Sequence, residues 1–272
     1  MIFETKTPKG ILGKYVETLI YFKHFNPDHS MERVVPTGHS FLIFELDNLL
    51  RNVYDNLSLK PIAEYREAWY SGAFEDYLSI SAHPNSEMLA IQFKPYGAFP
   101  FINKDISDYT NQVVDAQQVF NGNTTTIRNQ IMLADSPANK FNTIEDWLLK
   151  QFNAMNEPPE VLINCIHIMD TENGVFEKVK TDYPTSQKHM IQQFKKFVGL
   201  TPKTYLRIVR FNQIFQRLMK EEKISWAEIA YSCGYSDQSH FIKEFKRFSG
   251  FNPTEFIELE HYKSEPNFFP LD

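Results

Sequence analysis

The stretch ISWAEIAYSCGYSDQSHFIKEFKRFSG, residues 224–250, decides the fold of the C-terminal part of the chain. Ser225, followed three residues later by Glu228, is a capping-box pattern that predicts the start of a helix. Gly234 predicts a turn that needs positive φ, and Ser236 predicts the cap of a second helix. The second helix would turn three aromatic residues towards the core, Phe241, Phe245 and Phe248. This order predicts a helix-turn-helix unit.

The second helix of this unit would expose polar side chains along its N-terminal half. They are Asp237, Gln238, Ser239, His240 and Lys243. In a helix-turn-helix unit, that half enters the major groove of DNA. Gln can pair there with adenine, and Lys can donate to guanine or to phosphate. A helical hairpin inside an ordinary bundle has the same spacing, so this alternative stays open on spacing alone.

A second copy of the pattern lies upstream in VFEKVKTDYPTSQKHMIQQFKKFVGLTPKTYL, residues 175–206. Ser186 would cap a helix that Gly199 ends, with Met190, Phe194 and Phe197 inward. The outward side chains would be Lys188, His189, Gln192, Lys195 and Lys196. A helix predicted over residues 203–220 joins the two units. Its length of about 27 Å approaches one turn of B-DNA, about 34 Å, so one chain would read two successive major-groove segments.

The distribution of charge separates the two parts of the chain. The whole chain has a net charge of −6, yet residues 175–263 hold 15 Lys and Arg against 10 Asp and Glu. The remaining residues hold 13 against 24, and residues 186–220 include eight basic residues and no acid. Attraction to phosphate explains such a run. Chance, together with lysines that only improve solubility, is the alternative.

Length and composition predict a globular, cytoplasmic protein of about two domains. The chain has 272 residues, of which 42% are hydrophobic. No apolar run reaches the roughly 18 residues that span a bilayer, and the N-terminal segment lacks the pattern of a signal peptide. The two cysteines, Cys165 and Cys233, fall on predicted helices and indicate buried thiols in a reducing compartment.

The N-terminal half predicts a small barrel or sandwich. Aromatic and β-branched runs at residues 39–46, 68–74, 77–83 and 87–97 predict strands. The segment 11–25 fits either a short helix or a first strand. Helices are predicted over 124–134 and 142–155, the latter capped by Asn142 or Thr143. The prolines of residues 156–160 indicate a domain boundary.

Residues 159–257 resemble the DNA-binding domain of the AraC/XylS family of bacterial transcription regulators. The stretches that carry the resemblance are AEIAYSCGYSDQSHFIKEFKRFSGFNP (227–253) and FKKFVGLTPKTYLRIVRF (194–211), with the helix that joins the units. The first unit departs from the family pattern, because Lys180 replaces the small residue before the turn and Pro184 replaces the turn glycine. RVVPTGHSFLIFEL (33–46) and LAIQFKPYGAFPFI (89–102) resemble, more loosely, a domain often found in front of this module. This looser resemblance implies that the N-terminal domain serves in sensing or dimerisation.

The resemblance implies which residues contact DNA. Base contacts would come from Lys188, Ile191, Gln192, Gln238, Ser239, His240 and Lys243. Phosphate contacts would come from Lys195, Lys196, Arg207, Arg210 and Lys246. Ile191 would touch a thymine methyl or pack inward.

We therefore predict an α+β protein in which a β-rich, cupin-like N-terminal domain (1–105) and a helical connector (106–158) precede an all-α domain with two helix-turn-helix units (159–263). The predicted function is a transcriptional regulator that binds double-stranded DNA, without cofactor, metal or catalysis. RNA polymerase, a small-molecule effector and a second copy of the chain are candidate partners. A DNA-binding scaffold whose N-terminal domain binds no ligand is the alternative. A metal enzyme is disfavoured because His39 lacks the second histidine of a His-x-His motif.

Overall fold

A computed structural model describes residues 1–102, 104–121, 123–171, 183–184, 186–218, 225–235, 237–259 and 268–271. The N-terminal part forms two antiparallel sheets. Their strands are β1 Ile2–Lys6, β2 Val16–Phe25, β3 Met31–Val34, β4 Phe41–Glu45, β5 Arg51–Tyr54, β6 Pro61–Tyr65, β7 Ala68–Ser71, β8 Leu78–Ser81, β9 Ser86–Phe93, β10 Val113–Asp115 and β11 Phe268–Pro270. The six-stranded sheet has the order β1-β2-β9-β4-β7-β10, and the five-stranded sheet has the order β11-β3-β8-β5-β6.

Alternation along the central strands decides which face enters the core. Leu42 and Phe44 of β4 are fully buried, as are Leu89 and Ile91 of β9. Their register pairs Leu42 with Ile91 and Phe44 with Leu89, which brings all four to one face. Ile43 lies on the opposite face, in a smaller cluster with Trp69 and Ala90. The predicted β-rich architecture is therefore confirmed.

The four strands predicted from residues 39–97 are present as β4, β7, β8 and β9. Residues 11–25 contain both of the predicted alternatives, a one-turn helix α1, Leu12–Tyr15, that runs directly into β2. Six strands lie in segments that have no predicted strand, namely β1, β3, β5, β6, β10 and β11. The domain division at residues 105 and 158 stays a prediction.

Two helices follow the sheets, α2 Thr124–Leu133 and α3 Pro137–Gln151. The prediction that Asn142 or Thr143 caps α3 is wrong. The cap is Ser136, whose side chain accepts a hydrogen bond from the backbone N–H of Asn139. Pro137 follows it, and its fixed φ suits the first helical position.

The C-terminal part is helical. Its helices are α4 Glu160–Thr171, α5 Gln187–Val198, α6 Pro202–Leu218, α7 Trp226–Ser232, α8 Gln238–Ser249 and α9 Pro253–Glu258. Phe211 of the joining helix α6 is fully buried and contacts Phe245 and Phe248 of α8, with ring centroids 5.6 and 5.0 Å apart. Both cysteines are buried and form no disulfide bond. Among the described helices, none is long and apolar enough to cross a membrane.

Candidate nucleic-acid interface

Helix α5 is delimited as its sequence predicts. The Ser186 hydroxyl accepts a hydrogen bond from the backbone N–H of His189 at 3.3 Å, which satisfies one free donor of the first turn. Gly199 ends the helix with φ of +84°. Met190 and Phe194 are fully buried, so the opposite side of α5 faces outward. Lys180 of the predicted first helix of this unit lies outside the described residues, and Pro184 is exposed.

Helix α8 is capped by Asp237 and not by Ser236, which lies outside the described residues. The Asp237 carboxylate accepts a hydrogen bond from the backbone N–H of His240 at 2.8 Å. A carboxylate is a strong cap because it also interacts with the positive end of the helix dipole. Gly250 ends the helix with φ of +78°. The caps and terminal glycines of α5 and α8 are therefore both 51 residues apart in the sequence.

The turn between α7 and α8 is tight. Gly234 has φ of +78°, and the backbone N–H of Tyr235 donates to the carbonyl oxygen of Ala230 at 3.0 Å. Ala230 and Tyr235 are buried, as the sequence predicts for a small residue under the crossing helix and an aromatic at the corner. Ser225 occupies the cap position of α7, but its side chain makes no cap hydrogen bond. The predicted capping box is wrong at this helix.

Most residues predicted to contact bases lie on two exposed surfaces, one on each helix. The exposed ones are Lys188, Gln192, Gln238, Ser239, His240 and Lys243, and Ile191 is half-buried. His240 Nε2 lies 3.9 Å from a carboxylate oxygen of Glu244, on the next turn of α8. The base contacts themselves stay predictions.

The residues predicted to contact phosphate divide into two groups. Lys195 and Lys246 are exposed. Arg207 forms an ion pair from its Nε to the buried Glu244, with the Arg207 side chain 27% exposed, and burial lowers the pKa of Arg207. Lys196 lies over the rings of Phe99 and Phe197, 5.2 Å from each centroid.

Arg210 lies against the turn of the second unit. A Cβ atom built on Gly234 would lie 3.5 Å from the Arg210 guanidinium carbon, which is ordinary van der Waals contact. The Arg210 guanidinium therefore lies beside the turn, and its phosphate contact stays a prediction.

Glu244 and Arg247 are residues of the site that sequence reasoning missed. Glu244 is a 3% exposed acid inside a basic helix, and its position between Phe241 and Phe245 was the available signal. Arg247 contacts two acids of the N-terminal part, Asp76 through Nε and Glu75 at 3.6 Å. No local pattern in the sequence indicates this pair, because its members are about 170 residues apart.

The N-terminal part of the molecule contacts both helices near their C-terminal ends. At α5, Phe197 packs on Phe99 with ring centroids 4.5 Å apart, and the Thr110 hydroxyl donates to the carbonyl oxygen of Gly199 at 2.6 Å. At α8, Arg247 supplies the contact. Each helix has 12 residues and is about 18 Å long. The N-terminal halves that carry the predicted base contacts therefore lie away from this interface.

Comparison with known proteins supports the assignment of the C-terminal part. Residues 182–258 match the family profile described as a helix-turn-helix domain, and residues 4–115 match a domain of unknown function, DUF6597. Over 89 residues, the chain is 32% identical to the HTH-type transcriptional activator RhaS of Escherichia coli, including strain K12 / DH10B. That match covers 33% of this chain and 31% of RhaS, so the chain spans about a third of the length of the relatives it matches.

Solved structures of ToxT from Vibrio cholerae are similar over most of the chain. An apo structure of a ToxT variant has a TM-score of 0.47 at 9% identity and covers 88% of this chain and 97% of its own. A second ToxT structure has a TM-score of 0.47 at 11% identity and covers 94% and 98%. The sequence match to RhaS and the two capped helices with their joining helix carry the assignment. The C-terminal part of the chain is therefore similar to the helix-turn-helix domains of known transcription regulators.

Proposed function

We propose that the chain is a sequence-specific DNA-binding transcriptional regulator. The observation that carries this proposal is the pair of capped helices, α5 and α8, whose exposed polar N-terminal halves lie away from the N-terminal part. The described part of α6 has 17 residues and is about 26 Å long. That length suits two helices that enter successive major grooves, about 34 Å apart.

Base recognition would be shared by the two exposed surfaces. Lys188 and Gln192 would act from α5, and Gln238, Ser239, His240 and Lys243 from α8. Lys195 and Lys246, which are exposed in the last turn of each helix, would neutralise phosphates and release counterions. Arg207 and Lys196 are held by contacts inside the free protein, so their phosphate contacts would require these contacts to change.

The N-terminal part would regulate this activity. Its aromatic residues mostly fill the core, as the fully buried Tyr70, Phe44 and Phe93 show. Two clefts of about 490 and 350 Å³ lie among the described residues of this part, and both are open to solvent, whereas small-molecule sites of this volume usually enclose most of the ligand. The larger one includes Asp76, the partner of Arg247. A small-molecule effector in this cleft would thus act next to α8.

No catalytic role is proposed. Among the described residues, no group of three or more His, Cys, Asp and Glu side chains is placed to hold a metal ion. His39, the one histidine of the predicted cupin-like strand, lies within hydrogen-bond distance of the carbonyl oxygen of Phe93 at 2.8 Å through Nδ1. DNA as the partner implies a cytoplasmic site of action, with RNA polymerase and a second copy of the chain as further proposed partners.

The test is enrichment of bound sequences from random duplex DNA at two salt concentrations. We expect an enriched site with two blocks about one helical turn apart. Gln238→Ala should relax one block and Lys188→Ala the other, because each variant truncates one predicted base contact. Binding should weaken steeply as the salt concentration rises. Each lost phosphate contact should reduce the magnitude of the negative slope of log K against log salt by about 0.9.

Matched controls separate a lost base contact from a lost fold. Gln130→Ala, which truncates an exposed uncharged side chain on α2, should leave the enriched site and the melting temperature unchanged. Binding without any enriched sequence, at either salt concentration and by the full chain, would refute sequence-specific recognition. One enriched block that survives Lys188→Ala would refute base recognition by α5.

A further inference from the structure

Helices α5 and α8, the recognition helices of the proposed function, share one apolar residue on their outer surfaces. When the sequence is aligned with itself at an offset of 51 residues, the cap Ser186 aligns with the cap Asp237, and the terminal glycines of α5 and α8 align as well. The same offset superposes Ile191 on Ile242, four residues before Lys195 and Lys246 respectively. The repeat therefore places an isoleucine at the fifth position of both helices.

The core of the second unit does not account for Ile242. Its neighbour Phe241 is fully buried, whereas Ile242 is 38% exposed. Successive residues of an α-helix are about 100° apart, which places Ile242 at the side of the helix. Ser239 and Lys246 are its neighbours on that surface, three residues before it and four after it. All residues of α8 are described, and Ile242 is its only exposed large hydrophobic residue.

Ile191 occupies the equivalent environment in the first unit. It is half-buried, between Lys188 on the previous turn and Lys195 on the next, and both lysines are exposed. A single exposed isoleucine is ordinary in a soluble protein. Here, however, an isoleucine recurs at the same position of two helices, and each lies on a surface that otherwise carries polar and basic side chains. This recurrence indicates that both isoleucines make the same kind of apolar contact.

Duplex DNA offers one apolar group in the major groove that fits this position. The C5 methyl of thymine projects from the base edge and is recognised by apolar side chains. We infer that Ile191 and Ile242 each contact a thymine methyl, so that the target site carries one methyl-dependent thymine in each of its two blocks. This inference rests on the proposed function and adds Ile242 to the residues that determine specificity.

The test replaces thymine by deoxyuridine, which removes the methyl and leaves the base-pairing and the other groove atoms unchanged. In the enriched site, each thymine is replaced singly and the affinity of the full chain is measured. We expect one position in each block at which the replacement weakens binding about fourfold, the equivalent of one buried methyl group.

Variants assign each methyl to its side chain. With Ile242→Ala, the deoxyuridine effect should vanish in the block read by α8 and persist in the other. Ile191→Ala should give the reverse. Ile242→Val, which keeps an apolar branched side chain, should retain the effect. Leu149→Ala, which truncates a 47% exposed residue of α3, is the matched control and should change neither block.

The outcomes separate this inference from the proposed function. An enriched site at which no thymine methyl affects affinity would overturn the inference and leave sequence-specific binding intact. A methyl effect that Ile191→Ala and Ile242→Ala both leave unchanged would also overturn it, because the methyl would then contact other residues. Absence of any enriched site would overturn the proposed function and this inference together. Unchanged melting temperatures of both alanine variants would show that the fold is retained.

Discussion

Arg207→Met should destabilise the second helix-turn-helix unit without changing the number of phosphate contacts. The Arg207 guanidinium is paired with Glu244, which is 3% exposed. Loss of one partner of a buried ion pair typically costs about 3–5 kcal/mol, because the other charge stays buried. Arg207 itself is 27% exposed and His240 lies 3.9 Å from the same carboxylate. We therefore expect a loss of about 2–3 kcal/mol in the free energy of unfolding.

Two measurements test this reasoning, urea denaturation and the salt dependence of DNA affinity. Lys246→Met is the matched control, since it removes an exposed cation from α8 by the same kind of substitution. This variant should change the free energy of unfolding by no more than about 0.5 kcal/mol. It should reduce the magnitude of the slope of log K against log salt by about 0.9. Arg207→Met should lose about 2–3 kcal/mol in the free energy of unfolding and leave the salt dependence of DNA affinity unchanged.

The double variant Arg207→Met/Glu244→Leu isolates the pair. It removes both charges and leaves apolar side chains of similar size, so it should lose less than about 1 kcal/mol relative to the wild type. If Arg207→Met unfolds at the wild-type urea concentration and its salt slope falls as in Lys246→Met, the ion pair is unimportant and Arg207 contacts phosphate instead.

Two further predictions concern the turn glycines and a histidine of the N-terminal part. Gly234→Ala should cost about 1–2 kcal/mol, the strain of positive φ alone, because the added Cβ meets only ordinary contacts at 3.5 Å. Gly199→Ala should cost more in urea denaturation, since its Cβ would lie 2.9 Å from the Thr110 hydroxyl; equal costs would refute the clash. For His29, burial lowers the pKa, but its hydrogen bonds to Asp28 and Glu32 outweigh burial and raise it above 6.5. His29→Gln should therefore lose stability at pH 5, where the wild-type histidine is charged, with a difference that fades above the raised pKa. A difference that grows from pH 5 to pH 8 would contradict this sign.

Local patterns in the sequence predict the recognition helices well. The aromatic residues at helical spacing and the terminal glycines of α5 and α8 depend on contacts within one short segment, and the structure has them as predicted. The sequence predicts the cap of α8 at Ser236, one residue before the observed cap Asp237, because both residue types are good caps. Which of the two residues serves as the cap depends on where the first turn of α8 begins.

Features that depend on distant partners were not predictable. Strand β11 pairs with β3 across more than 230 residues, and its three residues carry no alternating pattern long enough to indicate a strand. The sequence predicts a phosphate contact for Arg207 from its charge and its place on the joining helix. The competing partner, Glu244, lies 37 residues later on another helix. A basic residue on a DNA-binding domain can serve either purpose, and only packing decides between them.

The distance between the two recognition helices depends on more than the joining helix. Lys196 and Arg247 are equivalent under the offset of 51 residues, and both contact the N-terminal part, one at Phe99 and the other at Asp76. Asn212 of α6 also donates a hydrogen bond to the carbonyl oxygen of Pro36 at 2.9 Å. The N-terminal part therefore contacts both recognition helices and the helix between them. We expect a ligand that displaces any of these contacts to change the distance between α5 and α8, and with it the fit of the two helices to successive grooves.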